Sequence, residues 1–188
     1  GDASVTFLGI AETQQGDLTG YIPSNLASMC DGQICMSATF FAEGVRPAVD
    51  LGLSISIIGG KVHPPIMRSL SRELRADYAR YVEVVKLRKL QSGLSGAAER
   101  LVRKGESIMS ILRQPQYAPV GLADQILLLY AVHKGMLGKL TEDDRTKFRK
   151  DIGEFARQKH QAVIDRIETV QELTPDVQKG LDDIMDAY

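Results

Sequence analysis

Gly52-Leu53-Ser54-Ile55-Ser56-Ile57-Ile58-Gly59-Gly60-Lys61-Val62-His63-Pro64-Pro65-Ile66-Met67-Arg68-Ser69-Leu70 is the stretch in which the hydrophobic period of the chain changes, and that change decides the fold. Before Gly60 the apolar residues come in short strand-like runs, Val5 to Ile10, Leu26 to Cys30, Gln33 to Ser37 and Leu53 to Ile58, separated by Gly, Pro and Asp-Gly steps. After it, Ile66, Leu70, Leu74, Tyr78 and Val82 recur every fourth residue and draw one apolar face along a long helix that Pro64 and Pro65 open. The boundary between a strand-bearing segment and an all-helical one therefore falls near Gly60.

Downstream of Gly60 the pattern predicts further helices. One runs from about Gly96 to Leu112 and stops at Pro115; the next covers Leu122 to Leu137 and stops at Gly138. Thr141, with Asp144 three residues on, caps a helix that carries Phe148, Ile152, Phe155, Ile164 and Ile167, and Thr174-Pro175 opens a last one. Upstream, Asp31-Gly32 suits a two-residue hairpin turn in which Cys30 faces Gln33 and Cys35 faces Ser28. That register keeps the two sulfurs apart and predicts two buried thiols, not a disulfide. Four short strand-like pieces are too few to close a sheet, so the N-terminal third is not expected to fold by itself.

Composition narrows the function classes. With 23 basic and 24 acidic residues in 188, no basic stripe is available to track phosphates, and no nucleic acid partner is expected. The longest apolar run, Ile126 to Val132, is far short of the roughly 20 residues a membrane-spanning helix needs, so any membrane association must come through partners. The chain opens Gly1-Asp2-Ala3-Ser4 without a charged-then-apolar leader. His63, His133 and His160 are far apart, which predicts no metal site and no Ser-His-Asp set. The mixed charges of Arg68 to Arg80 and Glu142 to Lys150 read as solvated helix faces. Neither Gly60-Lys61 nor Gly138-Lys139 is followed by the Ser or Thr of a phosphate loop.

Two places carry chemistry suited to the other end of a nucleotide. Arg46-Pro47 offers a planar cation and a flat ring that can lie against a purine, and Gln114 and Gln116 each bring a donor and an acceptor suited to an adenine edge, although by spacing alone Gln114-Pro115-Gln116 reads as an ordinary loop.

Asp31-Gly32-Gln33-Ile34, Gly44-Val45-Arg46-Pro47-Ala48 and Gly52 to Gly60 together resemble the alpha subunit of the F-type ATP synthase. Glu12-Thr13-Gln14, Tyr21-Ile22-Pro23-Ser24-Asn25, Gln114-Pro115-Gln116-Tyr117-Ala118-Pro119, Leu129-Tyr130-Ala131 and Lys159-His160 continue the likeness in order to the end of the chain. The resemblance implies an α/β fragment followed by an all-α part: the last strands of a P-loop-type nucleotide-binding sheet over residues 1–60, without its phosphate loop, and a C-terminal helical bundle over 61–188. It implies that Arg46, Pro47, Gln114 and Gln116 line the adenine pocket of a non-catalytic site. ATP or ADP with Mg would be held there, completed by upstream residues. Implied partners are the beta subunits, the central-stalk gamma subunit and the upstream part of the alpha subunit, and the Lys159-His160-Gln161-Ala162 ending, closer to mitochondrial than to plastid forms, implies the matrix side of the mitochondrial inner membrane ahead of a plastid or bacterial membrane.

The departures from the family pattern bear on chemistry. Ile57 stands where the family has an arginine that reaches across an interface to a nucleotide phosphate, while Ser28 matches a serine near the catalytic interface. Isoleucine cannot stabilise developing negative charge, so no catalytic residue is expected in this chain. Gly93 and Ser95 occupy positions where the family places two acids facing the stalk, and His63-Pro64-Pro65 departs from a small-residue and glutamine pattern. Two roles follow: a non-catalytic alpha-type subunit that scaffolds the head, or a diverged alpha-like structural subunit that has lost the catalytic contribution. A self-sufficient hydrolase is disfavoured by the missing phosphate loop.

Overall fold

The computed structural model describes residues 3–88 and 96–188. The chain divides into two compact units, residues 1–59 and 60–188.

In the first unit helix α1 (Tyr21–Met29) is followed by strand β1 (Gly32–Gln33), helix α2 (Ala38–Ala42) and strand β2 (Ile55–Ser56). The strands are antiparallel, with Gly32 opposite Ser56 and Gln33 opposite Ile55, and the Ile57 N–H extends the pairing to the Asp31 carbonyl at 2.8 Å. Gly32 is required there, because a Cβ at this position would lie 2.7 Å from the Ile55 carbonyl oxygen. Met36 bridges Val49, and Asp50 Oδ1 accepts from the N–H groups of Gly52 and Leu53, folding the chain back toward β2.

Several strand expectations are corrected. Leu26 to Cys30 is not a strand: residues 26–29 end α1, whose Pro23 sits in the first turn, where its missing N–H has no partner to lose. The Asp31-Gly32 hairpin is consequently absent, and β1 takes β2 as its neighbour across the sequence. Val5 to Ile10 forms no strand, since no described residue offers it an edge to pair with. The two thiols are free but only Cys35 is buried; Cys30 is exposed. Burial, and then the neighbouring Asp50 charge, push the Cys35 thiol upward, and its Sγ donates to the Leu53 carbonyl.

The second unit is all helical: α3 (Pro65–Arg88), α4 (Gly96–Ile111), α5 (Leu122–His133), α6 (Glu142–Lys159), α7 (Gln161–Val170) and α8 (Pro175–Ala187). Ile66, Leu70 and Tyr78 of the predicted α3 stripe are buried, with Leu74 and Val82 half-buried between them. Helix α5 is apolar around its circumference, and it occupies the centre, packed on α3, α4, α6, α7 and α8. Small residues let the helices close in. A Cβ at Gly105 would strike Tyr81 of α3, one at Gly153 would strike Asp124 of α5, and one at Gly180 would strike Val163 of α7.

Helix ends follow the caps where a side chain announces them. Thr141 and Thr174 accept from the N–H groups of Asp144 and Val177 as predicted. Two endings differ from expectation. Helix α5 stops at His133, not near Leu137, because Gly135 takes the left-handed conformation (φ +71°) and a 3-10 turn (Met136–Lys139) follows. The helix predicted through Ile167 breaks at His160 (φ −135°, ψ 36°), whose N–H closes α6 on the Ala156 carbonyl while its own carbonyl accepts from Val163 in α7. No glycine or proline marks that break; packing of Ile164 and Ile167 into the core sets the new direction.

The Glu142 to Lys150 face is not simply solvated. Arg145 is buried and its Nε donates to the Leu137 carbonyl at 2.9 Å, while Arg149 Nη1 donates to the Ser110 carbonyl at 2.8 Å. Arg113 meets Glu142 at 2.7 Å, so these charges tie α6 to the end of α4 and to the 3-10 turn. On α3, Arg68 Nη2 donates to the carbonyls of Lys61 and His63 and holds the segment that enters the helix.

Candidate functional site

Arg46 is placed by a short piece of local structure. Ser37 caps α2 by accepting from the Phe40 N–H, and Gly44, at φ +79°, reverses the chain after the helix. The Val45 N–H then returns to the Phe40 carbonyl at 2.9 Å, which brings residue 46 back over residue 41. The Arg46 guanidinium carbon lies 3.6 Å from the Phe41 ring centroid. Its Nη1 donates to the carbonyls of Phe41 at 2.7 Å and Val45 at 2.9 Å. Pro47 follows through a cis peptide bond and is exposed, and buried Ala48 anchors the segment by accepting from the Ser37 N–H.

Gln114 and Gln116 sit in the loop between α4 and α5. Gln114 Nε2 donates to the Ala118 carbonyl at 2.8 Å, so the loop closes on itself, and Tyr117 at its tip adopts φ +60° and is 92% exposed. The Gln116 amide is exposed and has no partner among the described residues. Arg46 and Pro47 thus belong to the first unit, and Gln114 and Gln116 to the second.

Ile57 follows β2, its N–H bound to Asp31 and its side chain 69% exposed. The position presents an aliphatic group to solvent. Ser28 is exposed on α1 and donates to the Asn25 carbonyl at 2.7 Å. Gly93 and Ser95 lie outside the described residues. Among the described residues no group of three His, Cys, Asp or Glu side chains converges as metal ligands, and no helix is long and apolar enough to cross a membrane. His133 instead pairs with Glu73 at 2.6 Å.

Two arrangements were not foreseen from sequence. Phe41 beneath Arg46 needs the left-handed turn at Gly44, and an aromatic five residues before an arginine is no signal by itself. The Tyr130 hydroxyl donates to Asp182, which also meets Lys134 at 2.8 Å; Asp182 is about fifty residues from the other two, so the group gives no local pattern.

A strand pair with short helices is followed in the chain by a separate all-helical unit. The chain belongs to the ATP synthase alpha/beta family: the family's nucleotide-binding domain matches residues 1–56 and its C-terminal domain matches residues 64–188. Within that family the similarity is to alpha subunits. ATP synthase subunit alpha of Lactiplantibacillus plantarum is 36% identical over all of this chain and 37% of its own length. ATP synthase subunit alpha, sodium ion specific, of Acetobacterium woodii is 36% identical over 98% of this chain and 37% of its own. ATP synthase subunit alpha of Bordetella pertussis is 36% identical over 92% and 34%. The chain therefore spans little more than a third of the length of these relatives. They are bacterial, so the mitochondrial placement expected from Lys159-His160 draws no support from them.

Proposed function

We propose that the chain serves as the C-terminal part of a non-catalytic alpha-type subunit in a rotary ATP synthase, lining an adenine nucleotide site and scaffolding the catalytic head. The observation that carries this reading is the Arg46 guanidinium, exposed yet pinned to two carbonyls and one ring face. A flat cation held in this way suits a purine face, and Pro47 beside it adds a second flat surface. Gln114 and Gln116 would supply the adenine edge with donors and acceptors. The phosphates and Mg of ATP or ADP would be held by upstream residues of the alpha subunit. On this reading residues 1–60 complete a nucleotide-binding domain and 61–188 form the helical domain.

The first unit supports a scaffold role. Cys35 and Ala48 are its only buried residues among those described, while Val5, Phe7, Ile10, Met29, Ile34 and Ile55 are exposed. Apolar surface on that scale marks contact with other protein. The partners proposed are the upstream alpha sequence, beta subunits and the gamma subunit of the stalk. The complex they form synthesises ATP coupled to proton transport and sits peripherally on a bioenergetic membrane.

A second reading is favoured by Ile57: an alpha-like structural or assembly subunit of a large complex that no longer contributes to catalysis. Purification of the native complex separates the two. Equal numbers of this subunit and of beta subunits, alternating around the head, are expected; a single peripheral copy, or no beta neighbour, sinks the scaffold role.

A further inference from the structure

We propose that Phe41 is the positioning residue of the adenine site, holding the Arg46 guanidinium so that its opposite face is presented to a purine. The inference rests on the reading that Arg46 meets adenine, and it assigns to Phe41 a role exerted through Arg46.

Three observations carry it. First, the guanidinium is fixed as a plane. Its Nη1 has two hydrogens, both directed at the carbonyls of Phe41 and Val45, and the Phe41 ring lies 3.6 Å below its carbon. Among the described residues the Nε–Nη2 edge has no hydrogen-bond partner, and the outer face is exposed. Second, Phe41 is 59% exposed and α2 buries none of its residues within this chain, so the contact that the ring makes here is the one with Arg46. Third, the Ser37 cap, the left-handed Gly44 and the Val45 to Phe40 hydrogen bond bring residue 46 over residue 41. The local fold delivers one product, a guanidinium with one face covered.

The physical gain is preorganisation. An unrestrained arginine side chain on a surface must give up its rotamer freedom when a ligand stacks on it. Held beforehand by Phe41, it surrenders little at the moment of binding, which corresponds to an affinity gain of roughly three- to tenfold. An aromatic replacement keeps the platform; a branched aliphatic one removes the ring face. Because the free face suits a base and not a phosphate, the gain applies to ATP and not to tripolyphosphate.

The test uses the assembled complex carrying Phe41→Leu, Phe41→Trp or Arg46→Ala, with equilibrium binding of ATP and of tripolyphosphate. Arg46→Ala and Phe41→Leu are expected to weaken ATP binding at one class of site, Phe41→Leu by roughly three- to tenfold, with Phe41→Trp close to wild type. Tripolyphosphate binding should not change with Phe41→Leu. The chain has no tryptophan of its own, so Phe41→Trp also places a unique reporter in it, whose emission should respond to ATP and not to tripolyphosphate. Wild-type ATP affinity in Phe41→Leu, with Arg46→Ala weakened, overturns the role of Phe41 and leaves the adenine reading standing. Wild-type affinity in Arg46→Ala overturns the adenine reading itself. Equal losses of ATP and tripolyphosphate in Phe41→Leu, or failure of Phe41→Trp to rescue, also overturn the proposal.

Discussion

The hydroxyl of Tyr130, on the central helix α5, donates a 2.7 Å hydrogen bond to Asp182 of α8, and Lys134, the residue that caps the C-terminus of α5, meets the same carboxylate oxygen at 2.8 Å. Burial first, and then the hydrogen bond to Asp182, push the Tyr130 phenol well above its ordinary range. Hydrogen bonds from Lys134 and Tyr130 hold the Asp182 carboxyl below the usual carboxylate range.

The signs of the two shifts are opposite at the ends of the pH scale. For Tyr130 the folded value lies above the unfolded one, so its contribution is complete below about pH 10 and is lost as pH rises beyond it. For Asp182 the folded value lies below the unfolded one, so its contribution is complete above about pH 4 and is lost as pH falls through the depressed folded value. Tyr130→Phe should cost about 1 kcal/mol at neutral pH and flatten the alkaline fall in stability. Urea midpoints measured from pH 7 to pH 11 check this; an unchanged alkaline slope would show that Tyr130 does not govern it.

At Gly105 two effects oppose each other. Replacing a mid-helix glycine by alanine gains up to about 1 kcal/mol in helix propensity. The new methyl would occupy space held by the base of the Tyr81 side chain, which sits too near its own backbone to swing aside. Overpacking of that kind costs about 1 to 3 kcal/mol, so the clash wins and Gly105→Ala should lower the melting temperature by several degrees. A rise would mean that α3 and α4 do not approach as closely as described.

What could be read in advance depended on whether the cause was local. The α3 stripe from Ile66 to Val82 and the Thr141 and Thr174 caps are written in neighbouring residues, and they appear where the pattern puts them. Leu26 to Cys30 failed because an apolar run of that length suits a helix end as well as a strand, and β2, more than twenty residues further on, supplied β1 with its partner. The break at His160 and the Gly135 stop were decided by packing and by a left-handed turn that Gly138 could equally have taken. Arg46, Pro47, Gln114 and Gln116 could be read in the sequence as residue types suited to adenine, and that role stays a proposal. The fixing of Arg46 by Phe41 could not be read there, because it depends on a chain reversal.

Arg145 offers a test of a buried charge in a face expected to be solvated. Its Nε donates to the Leu137 carbonyl at 2.9 Å, which among the described residues otherwise accepts from the Leu140 N–H at 3.3 Å. Arg145→Met keeps most of the volume and removes the donor, and should destabilise the helical unit by about 1 to 3 kcal/mol. Arg145→Lys should not restore it, since a lysine has no nitrogen at the Nε position. Chemical denaturation of the two variants, each compared with wild type, decides the point; full stability in Arg145→Lys would place the effect in charge alone.

Ile57 gives the sharpest functional test, because its backbone and side chain have separate jobs. The N–H joins the strand pairing at Asp31, and the side chain is exposed, so arginine can be introduced without breaking the sheet. An arginine supplied in trans to phosphoryl transfer is worth about 10³ to 10⁵ in rate where its geometry is complete. Ile57→Arg in the assembled complex should therefore raise ATP turnover, by at least about tenfold if even part of that geometry survives. Ile57→Lys should do much less, since a lysine is a point charge without the planar fork that engages two phosphate oxygens. Steady-state ATP hydrolysis by the three complexes is the measurement. Unchanged turnover in Ile57→Arg would mean that the surface around β2 no longer faces a reacting phosphate, and the structural-subunit reading would then replace the scaffold reading.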